Sequence, residues 1–381
     1  TDTEAYETDI KFSPMGSYVS FVRDRELYAV HVETGREIKL TSGATDTVAN
    51  GMAEFVAQEE LNRFTGYWWS PDETKVAFEQ FDESKVLVKD RYEVQPDGGV
   101  VALKQRYPEA GSTNVEVKLG VVAVADQAVQ WIDLGAEKDI YLARVNWLPD
   151  SKRVAVQRFN RAQTELDLLF AEAGGESKTF LSESSDIWVN IDDNLHFLDD
   201  NSTMLWTSER TGYRHIYRYN TENGQSAQLT SGDWVVASIQ RVDEEAGIIY
   251  FNGFKDSPLE QHLYAVSLKG GDVRKVTQQE GWHGTTVGAD VFIDNFSSPT
   301  QPPQVTVRNL ADGSLRSTVL ANALDADHPY YDYVAGQAQQ RFGTVAADDG
   351  TTLYYRMYLP PVMEEGKRYP AVMAPYGGPN G

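Results

Sequence analysis

Leu27-Tyr28-Ala29-Val30, with Lys39-Leu40-Thr41-Ser42-Gly43 behind it, is the segment from which the fold can be read, because the chain repeats it. Tyr28 precedes Thr41 by 13 residues. Tyr217 in Ile216-Tyr217-Arg218-Tyr219 precedes Thr230 in Gln228-Leu229-Thr230-Ser231-Gly232 by the same 13, and Tyr264 in Leu263-Tyr264-Ala265-Val266 precedes Thr277 likewise. Leu169 and Ser182 form a degenerate fourth copy. Each unit reads as strand, Gly-containing turn, strand, and the 47 residues from Tyr217 to Tyr264 are about the length of one four-stranded propeller blade. Matching openers stand upstream: Phe12-Ser13-Pro14, Trp69-Ser70-Pro71-Asp72, Trp147-Leu148-Pro149-Asp150 and Phe197-Leu198-Asp199-Asp200. The prediction is a mainly β protein in which residues 1–337 form a β-propeller of irregular blades, an architecture that leaves only short strand edges.

The surrounding sequence agrees. Short runs alternate with period two, as in Ser17-Tyr18-Val19-Ser20-Phe21-Val22, and Asp/Gly-rich turns separate them. The one helical candidate is Glu54 to Phe64, with Phe55, Val56, Leu61 and Phe64 apolar and no Gly or Pro inside. The intervals from Val86 to Trp131 and from Ser298 to Tyr333 are too long for a simple blade and should hold insertions or weakly patterned blades. Beyond Gln337 the texture changes, with a hairpin from Phe342 to Leu359 and an apolar strand from Tyr369. Residues 338–381 therefore read as the opening of a second domain. Both ends of the chain read as cut: Thr1 has no initiator methionine or leader before it, and a strand this apolar usually lies mid-sheet.

Composition narrows the function. The 381 residues hold 41% hydrophobic and 11% aromatic residues, enough for a packed core, and a net charge of −23 argues against nucleic acid as a partner. The absence of cysteine excludes disulfides, a Cys-ligated zinc and a cysteine nucleophile. No 18-residue apolar run marks a membrane span.

Few residues stand out as chemistry. Glu59-Glu60 sits on the helical segment just before Tyr67-Trp68-Trp69. Adjacent helical residues point about 100° apart, so both carboxylates can meet one object only at a helix end; otherwise the pair is a solvated acidic face. The histidines at 31, 196, 215, 262, 283 and 328 have no metal-ligand spacing and read as packing or surface residues. No Gly-x-Ser-x-Gly elbow occurs; Gly284-Thr285-Thr286-Val287-Gly288 has threonine at its centre and reads as a loop.

Three blocks carry a resemblance. Val56-Ala57-Gln58-Glu59-Glu60 followed by Gly66-Tyr67-Trp68-Trp69-Ser70-Pro71-Asp72, Trp206 through Gly212-Tyr213-Arg214-His215-Ile216-Tyr217, and Tyr369-Pro370 with Tyr376-Gly377-Gly378-Pro379 together resemble the dipeptidyl peptidase IV family, a branch of the prolyl oligopeptidases. The resemblance spans nearly the whole chain and implies an eight-bladed propeller, most of whose blades are present here, followed by the first strands of an α/β-hydrolase domain. It implies a serine exopeptidase that releases Xaa-Pro or Xaa-Ala dipeptides from peptides with a free N-terminus, with no cofactor and no metal. Glu59 and Glu60 fall on the family's substrate-amine anchor, and Tyr376 on its oxyanion-stabilising tyrosine. The triad would lie beyond Gly381, so the fragment itself is expected to be inactive. Arg214 and His215 read as blade-packing residues. After Trp188-Val189, where relatives often place aromatic or basic pocket residues, stands Asn190-Ile191-Asp192-Asp193. The expected setting is periplasmic or secreted and bacterial, with a homodimer open to the full-length protein. Two rivals remain at this level: a non-catalytic propeller that serves as a binding module, and a related oligopeptidase or acylaminoacyl peptidase, which would have no use for an amine anchor.

Overall fold

The computed structural model describes residues 4–173 and 175–375. The chain divides into two compact units, one of residues 1–238 with 268–271 and the other of residues 239–267 with 272–381.

Four blade-like antiparallel sheets lie in the first unit. The first runs in chain order through Thr8–Phe12, Tyr18–Arg23, Glu26–His31 and Glu37–Lys39, the third through Ile140–Trp147, Arg153–Asn160, Glu165–Glu172 and Ser177–Ser184, and the fourth through His196–Phe197, Thr203–Ser208, His215–Asn220 and Ser226–Gln228. The second departs from this order. Its edge strand is split into Val48–Asn50 and Tyr67–Trp69, which both pair with Lys75–Asp82, and Glu116–Ala123 and Val129–Trp131 follow. The second unit contains Ile248–Gly253, His262–Ser267 and Arg274–Lys275 of a fifth sheet that Val236–Asp243 begins, and a sixth sheet of Trp282–Val287, Val291–Ser298, Gln301–Asn309 and Leu315–Leu320.

The repeat has a physical basis. Tyr28, Tyr217 and Tyr264 each lie in the third strand of a sheet and face Lys39, Gln228 and Lys275 in the fourth. The threonines stand two residues past those partners, where the main-chain ladder has ended. There their hydroxyls take over as acceptors for the N–H groups of Leu27 at 2.8 Å, Ile216 at 3.0 Å and Leu263 at 3.1 Å. Each hydroxyl, having accepted one bond, donates to the residue two before the tyrosine: Glu26 at 2.6 Å, His215 Nδ1 at 3.1 Å and His262 Nδ1 at 3.0 Å. In the degenerate copy Ser182 donates to Asp167 at 2.5 Å. The openers are also equivalent: Gly16, Glu73, Ser151 and Asn201, at the fourth position of each turn, all adopt left-handed backbone, with φ of 80°, 57°, 56° and 58°.

Three expectations are corrected. Residues 284–288 are not a loop, since Thr285, Thr286 and Val287 lie in the strand Trp282–Val287, as β-branched residues favour. Tyr369 to Pro375 forms no strand; the segment is largely exposed, and a strand needs a partner for its N–H and C=O groups that none of the described residues supplies. The interval from Val86 to Trp131 does hold an insertion, the exposed hairpin Val88–Val94 with Val100–Arg106. The hairpin Gln339–Ala346 with Thr352–Leu359 forms a sheet of its own. The helical segment is also shorter than expected, running only from Phe55 to Glu59.

Candidate functional site

The split strand of the second sheet creates the site. Val48 pairs with Asp82 and Tyr67 with Phe78, so both halves lie on one edge of Lys75–Asp82, and residues 51–66 leave the sheet as a loop. Glu79 stands at the neck of that loop: its carbonyl accepts from Gly51 N–H and its N–H donates to Gly66 C=O, both at 2.8 Å. The neck is so narrow that a Cβ on Gly66 would come within 2.5 Å of the Met52 main chain, which accounts for the glycine.

At the head of the loop lies α1 (Phe55–Glu59), five residues where eleven were expected. Glu60 is its C-cap, Asn62 turns left-handed at φ 49°, and Arg63 N–H returns to Ala57 C=O at 2.9 Å, which ends the helix early. Phe64, expected on the apolar face, is 67% exposed. The apolar face consists instead of Val56, Ala57 and Leu61, which pack against Tyr141, Ala143 and Phe159 of the third sheet.

Glu59 and Glu60 are exposed at the end of this helix; the Glu60 N–H donates to Val56 C=O at 2.8 Å, and among the described residues neither carboxylate has an ion-pair or hydrogen-bond partner. The helix end is the geometry in which neighbouring carboxylates can converge. Beneath them is a second, buried set of charges that sequence reasoning missed. Glu54, 3% exposed, caps α1 by accepting from Val56 N–H at 2.6 Å and Ala57 N–H at 2.8 Å. Arg63 donates through Nε to Leu142 C=O at 3.1 Å and through Nη1 to Thr65 C=O at 2.8 Å, and lies 2.6 Å from Glu79 Oε2. Burial first, and repulsion from Glu79 second, push the Glu54 carboxyl up to about 7, while burial also raises Glu79 against the pull of Arg63.

The remaining candidates are structural. His215 and His262 are buried, and desolvation lowers their pKa values; each takes a threonine proton at Nδ1 and gives its own Nε2 proton to Gly232 C=O or Glu260. Arg214 pairs with Glu209 at 3.0 Å. Asp192 does not line a pocket: it is buried, accepts from Thr207 N–H, Thr207 Oγ1 and Asn194 N–H, and burial pushes its carboxyl up to about 6. Asp193, exposed, pairs with Arg144 at 2.6 Å. Among the described residues no group of three or more His, Cys, Asp or Glu is spaced to hold a metal ion, and no helix is long and apolar enough to cross a membrane. Tyr376 lies outside the described residues.

The family profile described as the dipeptidyl peptidase IV (DPP IV) N-terminal region matches residues 1–303. The chain belongs to this family. Dipeptidyl peptidase 8 of Mus musculus is 27% identical over 455 residues, covering 95% of this chain and 50% of that protein. A probable dipeptidyl peptidase 4 of Aspergillus flavus is 27% identical over 399 residues, covering 98% and 51%. The crystal structure of Porphyromonas gingivalis dipeptidyl peptidase 4 matches with a TM-score of 0.87 at 23% identity, covering 97% of this chain and 53% of that one. The fold of this dipeptidyl peptidase IV N-terminal region is thus a β-propeller, and the chain spans about half the length of the curated relatives it matches.

Two signals in the sequence of this family member could have revealed the buried set. Glu54 immediately precedes the helical run, the place of an N-cap, although Glu is not among the favoured capping residues. Glu79 stands directly after the apolar run Val76-Ala77-Phe78 and two residues before Phe81, and a charge beside such core residues needs a partner.

Proposed function

We propose that the chain is the propeller part of a serine exopeptidase that removes Xaa-Pro or Xaa-Ala dipeptides from free peptide N-termini. Residues 1–337 supply the propeller and residues 338–381 the start of an α/β-hydrolase domain whose triad lies further along the full-length protein. The carrying observation is Glu59-Glu60: two adjacent, exposed, unpartnered carboxylates at the end of a helix whose other side is buried. An α-ammonium is the ligand that suits them, because charge-assisted hydrogen bonds to carboxylates are about twice as strong as neutral ones. Holding the chain end sets the scissile bond at a fixed distance, and this makes the enzyme an exopeptidase. Tyr376 donates its hydroxyl to the tetrahedral oxyanion, a contact of the kind whose removal costs about 2.7–4 kcal/mol of transition-state stabilisation. The setting is the periplasm or the exterior of a bacterium, where peptides with free N-termini are the partners and a homodimer is the assembly to test.

The experiment is release of chromophore from a Gly-Pro-anilide. The full-length protein should turn it over and the 381-residue chain should not. Turnover by the chain alone would contradict the placement of the nucleophile.

A further inference from the structure

We infer that Glu54, Arg63 and Glu79 are positioning residues for the Glu59-Glu60 pair, gripping the helix that carries it at both ends and so setting the affinity for the peptide ammonium. The inference rests on the anchor reading above and extends it to residues that never meet substrate.

α1 is five residues long, far short of the roughly 12–15 at which an isolated helix becomes even marginal, so the direction of its carboxylates is decided by whatever holds its ends. Glu54 holds the first end through its two cap bonds. Arg63 holds the other, its guanidinium directed at three separate acceptors: Leu142 C=O on the third sheet, Thr65 C=O in the returning limb, and the Glu79 carboxylate. Glu79 joins the two grips. Its main chain closes the loop neck from both sides, its side chain rises into the loop to meet Arg63, and its charge acts on Glu54. All three residues are 5% exposed or less. Arg144 adds a contact from outside the set, donating through Nη1 to Leu61 C=O at 2.8 Å.

The cluster is a poor choice for stability alone. Two buried carboxylates stand against one guanidinium, which pairs with Glu79 and not with Glu54, and Arg63 Nη2 and both Glu79 oxygens make no well-aligned hydrogen bond among the described residues. A buried pair of this kind can often be exchanged for apolar residues without loss of stability. What an apolar filling would not supply is direction, because it lacks the fork that ties one loop limb to three fixed points.

The test uses the full-length enzyme and steady-state kinetics on a Gly-Pro-anilide, with thermal melting alongside. The variants are Glu79→Gln, Arg63→Lys, the double Arg63→Met/Glu79→Leu, which removes the ion pair, and Glu59→Gln as reference. The ammonium contact is made in ground and transition states alike, so misaiming it should raise KM about tenfold or more with kcat within about twofold. The double variant should show this while melting within a few degrees of the parent. A parental KM in the double variant, with Glu59→Gln still impaired, overturns the positioning role and leaves the anchor standing. No effect of Glu59→Gln removes the anchor reading and this inference with it. A raised KM found only in variants whose melting point has collapsed also contradicts the proposal, since loss of structure alone would then account for it.

Discussion

Glu54 is buried beside another carboxylate and yet accepts two main-chain N–H bonds, so its proton responds to opposing forces. Desolvation and Glu79 prevail, and the group takes up its proton near pH 7 in the folded chain against 4.5 for an ordinary glutamate. Between those values the folded state binds more protons than the unfolded one, so stability is greatest at the acid end of the window and falls as pH rises toward 7. Melting temperatures between pH 5 and 8 should therefore decline less steeply in Glu54→Gln than in the parent. Equal slopes would show that the carboxylate is not perturbed. Asp192, pushed up to about 6 by burial, contributes a decline of the same sign between 3.8 and 6, a window the Glu54 comparison cancels because both proteins carry it. Sequence alone marked Glu59 and Glu60 but not these partners, because a residue's burial depends on chain that folds against it from far away: Leu142 lies 79 residues from Arg63.

Among the elements, the threonine hydroxyl that closes the fourth strand onto the third in the first, fourth and fifth sheets is the feature the sequence displayed best. It was legible because the contact is local, recurs at one spacing and requires a particular side chain. Thr230→Val keeps the shape of the side chain but removes the acceptor for the buried Ile216 N–H and the donor to His215, and should destabilise the chain by about 1–3 kcal/mol in urea unfolding, with Thr230→Ser restoring most of the loss. A valine variant as stable as the parent would show the hydroxyl to be incidental. Helix α1 was legible in kind but not in length. Its apolar spacing suggested three turns, whereas the left-handed Asn62 and the pull of Arg63 toward the third sheet end it after little more than one. Residues 284–288 went the other way: the string with threonine at its centre read as a loop, and pairing with Val291–Ser298 made residues 284–287 part of a strand.

At the scale of the molecule, a propeller that binds the amine of a peptide and a hydrolase that cleaves two residues along it would share one substrate between two domains. The pH profile of the full-length protein should reflect this, with activity on free peptides falling above the α-amino pKa of about 7.7–8.0 as the ammonium is lost. The most direct measurement compares kcat/KM for Gly-Pro-anilide and its N-acetylated form in the parent and in Glu59→Gln/Glu60→Gln. The parent should refuse the acetylated form, and the double variant should lose roughly 2–5 kcal/mol of transition-state binding on the free form, about 30- to several-thousand-fold. A double variant that cleaves free and acetylated substrates as well as the parent cleaves the free one would contradict it, leaving Glu59-Glu60 a solvated acidic face.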